Sequence, residues 1–229
     1  MEITVTSVQN SVVEYLRSQI ATGRLRANQK LNESDLASKL GISRPPIREA
    51  FRILESEHLV VSIPRKGAYV ADVSIEDLLG LCQVREMIEC YTIDLLKAKN
   101  IRELPQVELA LEEASHLSLP SVDNPDEMLH YHKVFFDYHR KLVEAVGNYR
   151  IIYFYNAISL NLTRYQIMYL FVPGSSRQSL QDHREILDFI KMGEYDKAKE
   201  CLVNHIDYTA EVLKRRISGN DSMDEKQDL

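Results

Sequence analysis

Apolar side chains in the first part of the chain recur at helical spacing in three segments. The first segment covers residues 7–20 and predicts an amphipathic helix. Asn32 is placed to cap a second helix that Gly41 ends. Ser43 is placed to cap a third helix, whose prolines fall in the first turn, where missing N–H groups cost little. Two helices joined by a three-residue turn that contains glycine predict a helix-turn-helix.

Two short runs of β-prone residues follow, at positions 59–63 and 68–70. They flank Pro64, Arg65, Lys66 and Gly67, and the glycine supplies the positive φ that a tight reversal needs. We therefore predict a β-hairpin, the wing of a winged helix-turn-helix. Beyond residue 71 the strand pattern stops, and helical spacing returns at Ser74.

The remaining sequence predicts about six helices and a mainly α protein. Signals that interrupt helices lie near Asn100, Leu119, Gly147, Pro173 and Gly193. We expect a winged helix-turn-helix DNA-binding domain at residues 1–72 and an all-helical bundle for effector binding and dimerisation at residues 73–218. A polar, disordered tail is expected at residues 219–229.

Charge is divided unevenly between these parts. The whole chain has a formal net charge of −6, but residues 1–71 hold ten Lys and Arg against seven Asp and Glu, and the remainder holds 18 against 27. Only the first part therefore suits a phosphate backbone. The three cysteines form no CxxC pair, and no apolar run approaches the ~18 residues of a membrane span. These features predict a cytoplasmic protein without disulfides and without a membrane partner.

Arginine side chains line one face of the helix predicted from residue 44. Arg44 and Arg48 lie one turn apart, on the side opposite the apolar residues. The first turns of a recognition helix enter the major groove, where arginine pairs with guanine or clamps a phosphate. Arg65 and Lys66 are placed to reach the neighbouring backbone or minor groove, and Ser34 to reach a phosphate. A solvated face on an ordinary helix is the alternative interpretation of the arginines.

Residues 32–73 resemble the DNA-binding domain of the GntR family of bacterial regulators. The matching pattern consists of Glu33, Leu36-Ala37, Gly41-Ile42-Ser43-Arg44, Pro45, Arg48-Glu49-Ala50 and Gly67. The resemblance implies a homodimer that binds a short palindromic operator, usually as a repressor that a small effector releases. The predicted DNA contacts are Ser34, Arg44, Pro46, Arg48, Arg65, Lys66 and Gly67.

Residues 75–217 are similar to the FCD-type ligand-binding domain of the FadR-like branch of that family. The similarity is most specific at residues 139–148, which begin with a histidine and end with Gly147-Asn148. In members that bind metal, an aspartate and three histidines hold a divalent cation inside the bundle. The resemblance places the histidines at His139, His183 and His205, and three imidazoles suit Zn²⁺ or Ni²⁺.

The fourth ligand departs from that pattern. The aspartate is expected one turn before His139, and the chain has Phe135 there. Glu89 or a residue of the 161–165 segment is an alternative ligand, and the sequence does not choose between them. If no metal binds, the same histidines are placed to donate hydrogen bonds to an anionic effector, and the protein is a regulator that senses its ligand directly.

Arg85 and Glu89 are the predicted effector-binding residues. The guanidinium of Arg85 matches the geometry of a carboxylate, and the resemblance implies carboxylic acids as common effectors. A salt bridge between these two residues, four positions apart, is the alternative. A metalloenzyme built on the three histidines is a further alternative, but the sequence has no HExxH motif, and Phe135 replaces the acidic residue. We therefore predict a regulator and not an enzyme.

Overall fold

The computed structural model describes residues 7–219, and the predicted polar tail lies outside them apart from its first residue. The predicted helix-turn-helix corresponds to the second and third helices, and the predicted wing to the second and third strands. The elements of this part are α1 (Val8–Ala21), β1 (Lys30–Leu31), α2 (Glu33–Leu40), α3 (Arg44–Ser56), β2 (Val60–Ile63) and β3 (Gly67–Val70).

Local side-chain chemistry explains the turn between α2 and α3. Oδ1 of Asn32 accepts a hydrogen bond from the N–H of Ser34 at 2.9 Å, and Gly41 ends α2 with a φ of 66°. Ser43 lies at the N-cap of α3, but its side chain makes no capping hydrogen bond. The second and third helical positions, which normally donate to the cap, are Pro45 and Pro46 and have no N–H. The prediction was correct for the position of Ser43 and wrong for its hydrogen bond.

The wing is a hairpin in which β2 and β3 pair antiparallel, from Val60 opposite Val70 to Ile63 opposite Gly67. Gly67 has a φ of 105°, as the sequence predicted, and Arg65 also has a positive φ, of 64°. β1 adds a third strand and gives the sheet order β1-β3-β2. The sequence did not predict β1, because two residues are too few to show a period-two pattern.

One apolar core joins α1, α2, α3 and the sheet. Leu16, Ile47 and Leu54 have no exposed surface, and Val12, Phe51 and Val70 pack beside them. Burying each of these side chains stabilises the domain by roughly 1.5–3 kcal/mol. Because this core fixes the apolar side of α3, the opposite side of the helix is left facing solvent.

The C-terminal part is a helical bundle. Within the described residues it has seven helices, one more than the approximate number predicted. The additional break is at Phe136, which has a φ of −94° and a ψ of 2°. Neither glycine nor proline marks this position, so the sequence carries no signal for a break there. The helices are α4 (Ile75–Ala98), α5 (Pro105–Ser115), α6 (Pro125–Phe135), α7 (Asp137–Glu144), α8 (Tyr149–Leu170), α9 (Ser175–Met192) and α10 (Tyr195–Ile217).

The centre of the bundle is formed where α10 packs against both α4 and α9, with α8 against α4. Its core includes Leu78, Ile93, Leu142, Ile186 and Leu202, none of which has exposed surface. This packing brings the interior faces of α4, α7, α9 and α10 together, which positions the candidate site. No helix among residues 7–219 is both long and apolar enough to cross a bilayer.

The segment that links the two parts, residues 71–74, is held by α8. Arg164 is buried and donates from Nη1 to the carbonyl of Ala71 at 2.9 Å and from Nη2 to the carbonyl of Asp72. The neighbouring Tyr165 donates its hydroxyl hydrogen to the carboxylate of Asp77 at 2.7 Å. One helix of the bundle therefore fixes the chain at the point where it leaves the wing.

Candidate functional site

The exposed face of α3 carries Arg44 and Arg48, and both bind the carboxylate of Glu33 at the start of α2. Nη2 of Arg44 lies 3.2 Å from Oε2 of Glu33. Arg48 makes a two-pronged pair with the same carboxylate, from Nη2 at 3.0 Å and from Nε at 3.2 Å. The hydrogen bond from Arg48 is the main reason why the pKa of Glu33 is lowered. Glu33 thus positions both guanidiniums at the first turns of the recognition helix.

The other residues predicted to contact DNA differ in how far they are exposed to solvent. Ser34 is exposed, and because Asn32 occupies its backbone N–H, its side chain remains as the donor for a phosphate. Pro46 is half-buried in the first turn of α3. The wing residues Arg65, Lys66 and Gly67 are all exposed at the end of the hairpin. These contacts stay predictions, since their test requires DNA.

Three buried histidines form a cluster inside the bundle. His139 comes from α7, His183 from α9 and His205 from α10. One nitrogen from each ring lies within 4.8 Å of the nitrogens of the other two. The three residues that the resemblance singled out are therefore brought together, although 66 positions separate the first from the last.

Carboxylates hold two of these rings in defined tautomers. Nδ1 of His139 lies 2.9 Å from Oε2 of Glu89, and Nδ1 of His205 lies 3.0 Å from Oδ2 of Asp182. An ionised carboxylate only accepts hydrogen bonds, so both Nδ1 atoms carry the hydrogen and both Nε2 atoms keep a lone pair. A carboxylate behind a histidine is the usual arrangement around a protein-bound metal. Asp182 was not among the residues predicted from the sequence, although it adjoins His183.

His183 is the least satisfied member of the cluster. Neither of its ring nitrogens has a hydrogen-bond partner in the described part of the chain, and the ring stacks on Tyr138 at 4.2 Å between centroids. Burial, together with the neighbouring His139 and His205, holds its pKa well below the usual value. His183 is therefore a neutral imidazole whose lone pair lacks a partner, which fits a metal ion and equally fits a donor group on an effector.

Arg85 and Glu89 form the buried salt bridge that the sequence offered as an alternative. Nε of Arg85 lies 2.8 Å from Oε1 of Glu89, and neither side chain is more than 2% exposed. Burial alone raises the pKa of Glu89, but the charge of Arg85 and the hydrogen bonds from Arg85 and His139 reverse this and hold it far below its usual range. Glu89 thus supports Arg85 and His139 through hydrogen bonds and is not part of the cluster of candidate ligand atoms.

Phe135, at the position of the expected aspartate, belongs to a separate apolar cluster. It is fully buried with Ala114, Tyr131 and Leu170, and its ring centroid lies 6.4 Å from that of His183. The other alternative source of a fourth ligand, the 161–165 segment, directs Arg164 and Tyr165 towards the linker. Among residues 7–219, the group of candidate ligands around this point consists of the three histidines.

An open groove between α9 and α10 borders one member of the cluster, His205. Its lining also includes Asp182, Glu185 and Glu200 with Lys197. Three carboxylates against one ammonium make this groove attractive to cations.

Comparison with known proteins supplies the family. The model of the bacterial regulatory proteins of the gntR family matches residues 8–70, and the model of the FCD domain matches residues 80–208. The chain belongs to the GntR family. Like other members of this family, it is a DNA-binding transcription regulator and not an enzyme, so the metalloenzyme alternative is set aside.

The similarity to individual GntR relatives extends over nearly the whole chain. A probable D-xylose utilization operon transcriptional repressor of Paenarthrobacter nicotinovorans is 26% identical over 208 residues, covering 89% of this chain and 88% of the relative. The HTH-type transcriptional repressor GlaR of Escherichia coli is 25% identical over 228 residues, covering 95% and 100%. A putative GntR regulator from Rhodococcus sp. RHA1 has the same fold, with a TM-score of 0.70, 22% identity and coverage of 91% and 98%.

Proposed function

We propose that the chain is a cytoplasmic, homodimeric repressor whose FCD bundle binds a small carboxylate effector at a Zn²⁺ or Ni²⁺ site. In this proposal residues 1–72 bind a palindromic operator, and residues 73–218 bind the effector and the second subunit. The observation that carries the proposal is the buried cluster of His139, His183 and His205 within the bundle of a DNA-binding regulator. A dimer is required because one recognition helix reads only one half-site of a palindrome.

The proposed operator contacts are Ser34, Arg44, Pro46, Arg48, Arg65, Lys66 and Gly67. Arg48 is the sharpest test, because Glu33 positions it at the first turns of α3. A mobility-shift titration is expected to show about 10-fold or greater loss of operator affinity for Arg48→Ala, as for a lost bidentate contact to a base. Arg52→Ala is the matched control, since Arg52 lies one turn further along and pairs with Glu49. Equal affinities for Arg48→Ala and the unchanged protein would refute the assignment.

The three histidines would hold the metal through one nitrogen each, with Glu89 and Asp182 fixing the tautomers of His139 and His205. A bound Zn²⁺ or Ni²⁺ supplies a Lewis acid with a coordination position open to an effector oxygen. Arg85 and Glu89 are the proposed effector-binding residues beside it. The proposed route by which the cation reaches the histidines is the acidic groove between α9 and α10, which borders His205.

Metal content of the purified protein tests this part of the proposal. Mass spectrometry is expected to find nearly one Zn²⁺ or Ni²⁺ per chain, and none in His183→Ala. His132→Ala is the control, because Nε2 of His132 is hydrogen-bonded to Oε1 of Gln166 at 2.8 Å and the residue lies outside the cluster. Metal retained by His183→Ala, or lost equally from both variants, would contradict a site at the three histidines.

Direct sensing without a metal is the second candidate mechanism. It is favoured by Phe135, which supplies no carboxylate ligand, and by Arg85, whose guanidinium already places a positive charge beside the cluster. In that case the buried nitrogens of His183 bind an anionic effector themselves. Calorimetric titration of metal-free protein with a library of small carboxylates distinguishes the two mechanisms, because only direct sensing gives binding in the presence of a metal chelator.

A further inference from the structure

The outer sides of α4 and α8 carry a group of large apolar side chains that are exposed to solvent. Each of them has between 37% and 69% of its surface exposed. We call this group the α4–α8 face, and it consists of Val84, Met87 and Tyr91 of α4 and Tyr149, Tyr153 and Phe154 of α8. Single exposed apolar residues are ordinary, whereas a group of them marks a surface that another molecule covers.

The two halves of the α4–α8 face lie at the same level of the bundle. The helices run antiparallel, because Tyr165, late in α8, binds Asp77 near the start of α4, whereas Tyr155, earlier in α8, packs with Ile88 further along α4. The segments that carry the exposed side chains are therefore neighbours. We infer one surface made by two adjacent helix segments.

Charged residues are nearly absent from this surface. Of the ten exposed residues at positions 83–91 and 149–157, only Arg150 is charged, although 27% of the whole chain is charged. The guanidinium of Arg150 lies 4.8 Å from the ring centroid of Tyr149, so this charge is held against an aromatic ring. The cores of protein interfaces are depleted in Lys, Glu and Asp and enriched in Tyr, Phe, Met and Arg. The α4–α8 face has the same composition.

The area of the face is close to what a stable dimer needs. At about 200 Å² for a fully exposed side chain of this size, the six side chains offer roughly 700 Å². A standard interface buries about 800 Å² on each partner. The exposed Gln83, Asn156 and Ala157 in the same segments extend the face towards that value.

We propose that the α4–α8 face binds the same face of a second copy of the chain across a two-fold axis. This inference rests on the proposed homodimer and assigns its interface. In a two-fold interface each surface patch meets itself, so a charged patch would repel its own copy. The near absence of charge from the α4–α8 face removes that repulsion.

The dimer dissociation constant of the full-length protein tests the proposal, and sedimentation equilibrium measures it. Met87→Lys and Tyr153→Lys each place a charge on one helix of the face, at positions that are 65% and 67% exposed in a single chain, so the fold should tolerate them. Met192→Lys is the matched control, because Met192 is also 65% exposed but ends α9. Tyr153→Phe is the conservative variant and loses only the hydroxyl.

Each lysine variant of the face is expected to raise the dimer dissociation constant at least about 10-fold, because a two-fold interface meets each substitution twice and buries the new charge. Met192→Lys and Tyr153→Phe are expected to change it by less than about threefold. Far-ultraviolet circular dichroism of the variants should match that of the unchanged protein, which separates loss of the dimer from loss of the fold. If one lysine variant fails to fold, the other decides the question.

Failure of this interface is distinguishable from failure of the proposed homodimer. If the unchanged protein and both lysine variants are equally tight dimers, the homodimer stands and the α4–α8 face is refuted. If Met192→Lys weakens the dimer as much as Met87→Lys and Tyr153→Lys do, the effect is not specific to this face and the assignment is also refuted. If the unchanged protein is monomeric at every concentration, the homodimer and its interface both fall.

Discussion

Replacing Arg85 by methionine leaves the carboxylate of Glu89 as a buried charge without its cationic partner. The two side chains are 2% and 0% exposed and are joined by a 2.8 Å hydrogen bond, so water cannot take the place of the guanidinium. Breaking a buried pair in this way destabilises a protein by about 3–5 kcal/mol. Since whole domains are stable by only about 5–15 kcal/mol, Arg85→Met is expected to remove a large fraction of the free energy of unfolding of the bundle.

The double variant Arg85→Met/Glu89→Gln is expected to recover most of that loss, because it buries no unpaired charge. Replacing both members of a buried pair is often neutral. The coupling free energy between the two positions should therefore reach about 2–3 kcal/mol in a double-mutant cycle, the upper range for residues in direct contact.

Urea unfolding in the presence of a metal chelator measures these free energies at a fixed protein concentration. Far-ultraviolet circular dichroism is the suitable signal, because the chain contains no tryptophan. The pair Lys97–Asp196 is the matched control: it is also joined at 2.7 Å, but its side chains are 50% and 81% exposed. Its coupling should be close to the error of the measurement. A coupling for Arg85–Glu89 no larger than that of the exposed pair would refute the reasoning from burial.

Three further predictions concern acid stability, the linker and the wing. Burial lowers the pKa of His139 from 6.5 to about 4, and the other two clustered histidines shift the same way. The metal-free protein should therefore be fully stable above about pH 6.5 and lose up to ~1.4 kcal/mol per pH unit per histidine towards pH 4; equal urea midpoints at about pH 7.5 and pH 5 would contradict this. Arg164→Met loses two hydrogen bonds to the linker and should speed limited proteolysis there by about 10-fold. Arg177, an exposed arginine of α9, is the control, and Arg177→Met should leave the proteolysis rate unchanged. Gly67→Ala should destabilise the wing by about 1–2 kcal/mol through its φ of 105° and weaken operator binding in a mobility shift, whereas unchanged affinity would argue against a wing contact.

Elements with strong local signals were predictable from the sequence. The caps at Asn32 and Gly41 and the positive φ of Gly67 each depend on one residue type at one position, and the structure has all three. The break at Phe136 was not predictable, because an aromatic residue inside a helical pattern gives no breaker signal. The short strand β1 was missed because two residues are too few to show a period-two pattern, and its pairing partner, β3, lies far along the chain.

The candidate site was likewise predictable from the sequence only in part. Spacing taken from the family placed the three histidines, which the fold then brings together. The partners of these residues were not predictable in detail, because they depend on contacts between helices. Asp182 reaches His205 from α9 to α10, and Glu33 reaches Arg48 from α2 to α3. A signal was available in the sequence for both carboxylates. Asp182 is next to a candidate histidine, and Glu33 is the first residue of the helix before the recognition helix.

The two prolines at the start of α3 change what the tip of the recognition helix offers to DNA. An ordinary helix begins with four unsatisfied amides, which together cradle an anion. Pro45 and Pro46 remove two of these amides, and the hydroxyl of Ser43, at the N-cap position, makes no capping hydrogen bond. We expect a phosphate at this tip to be bound by the Ser43 hydroxyl and by the amide of Arg44 in place of the full set of backbone donors. Ser43→Ala, which removes this hydroxyl, should therefore reduce the affinity for DNA. In an ordinary helix the backbone amides alone would bind the phosphate, and the same substitution would matter less.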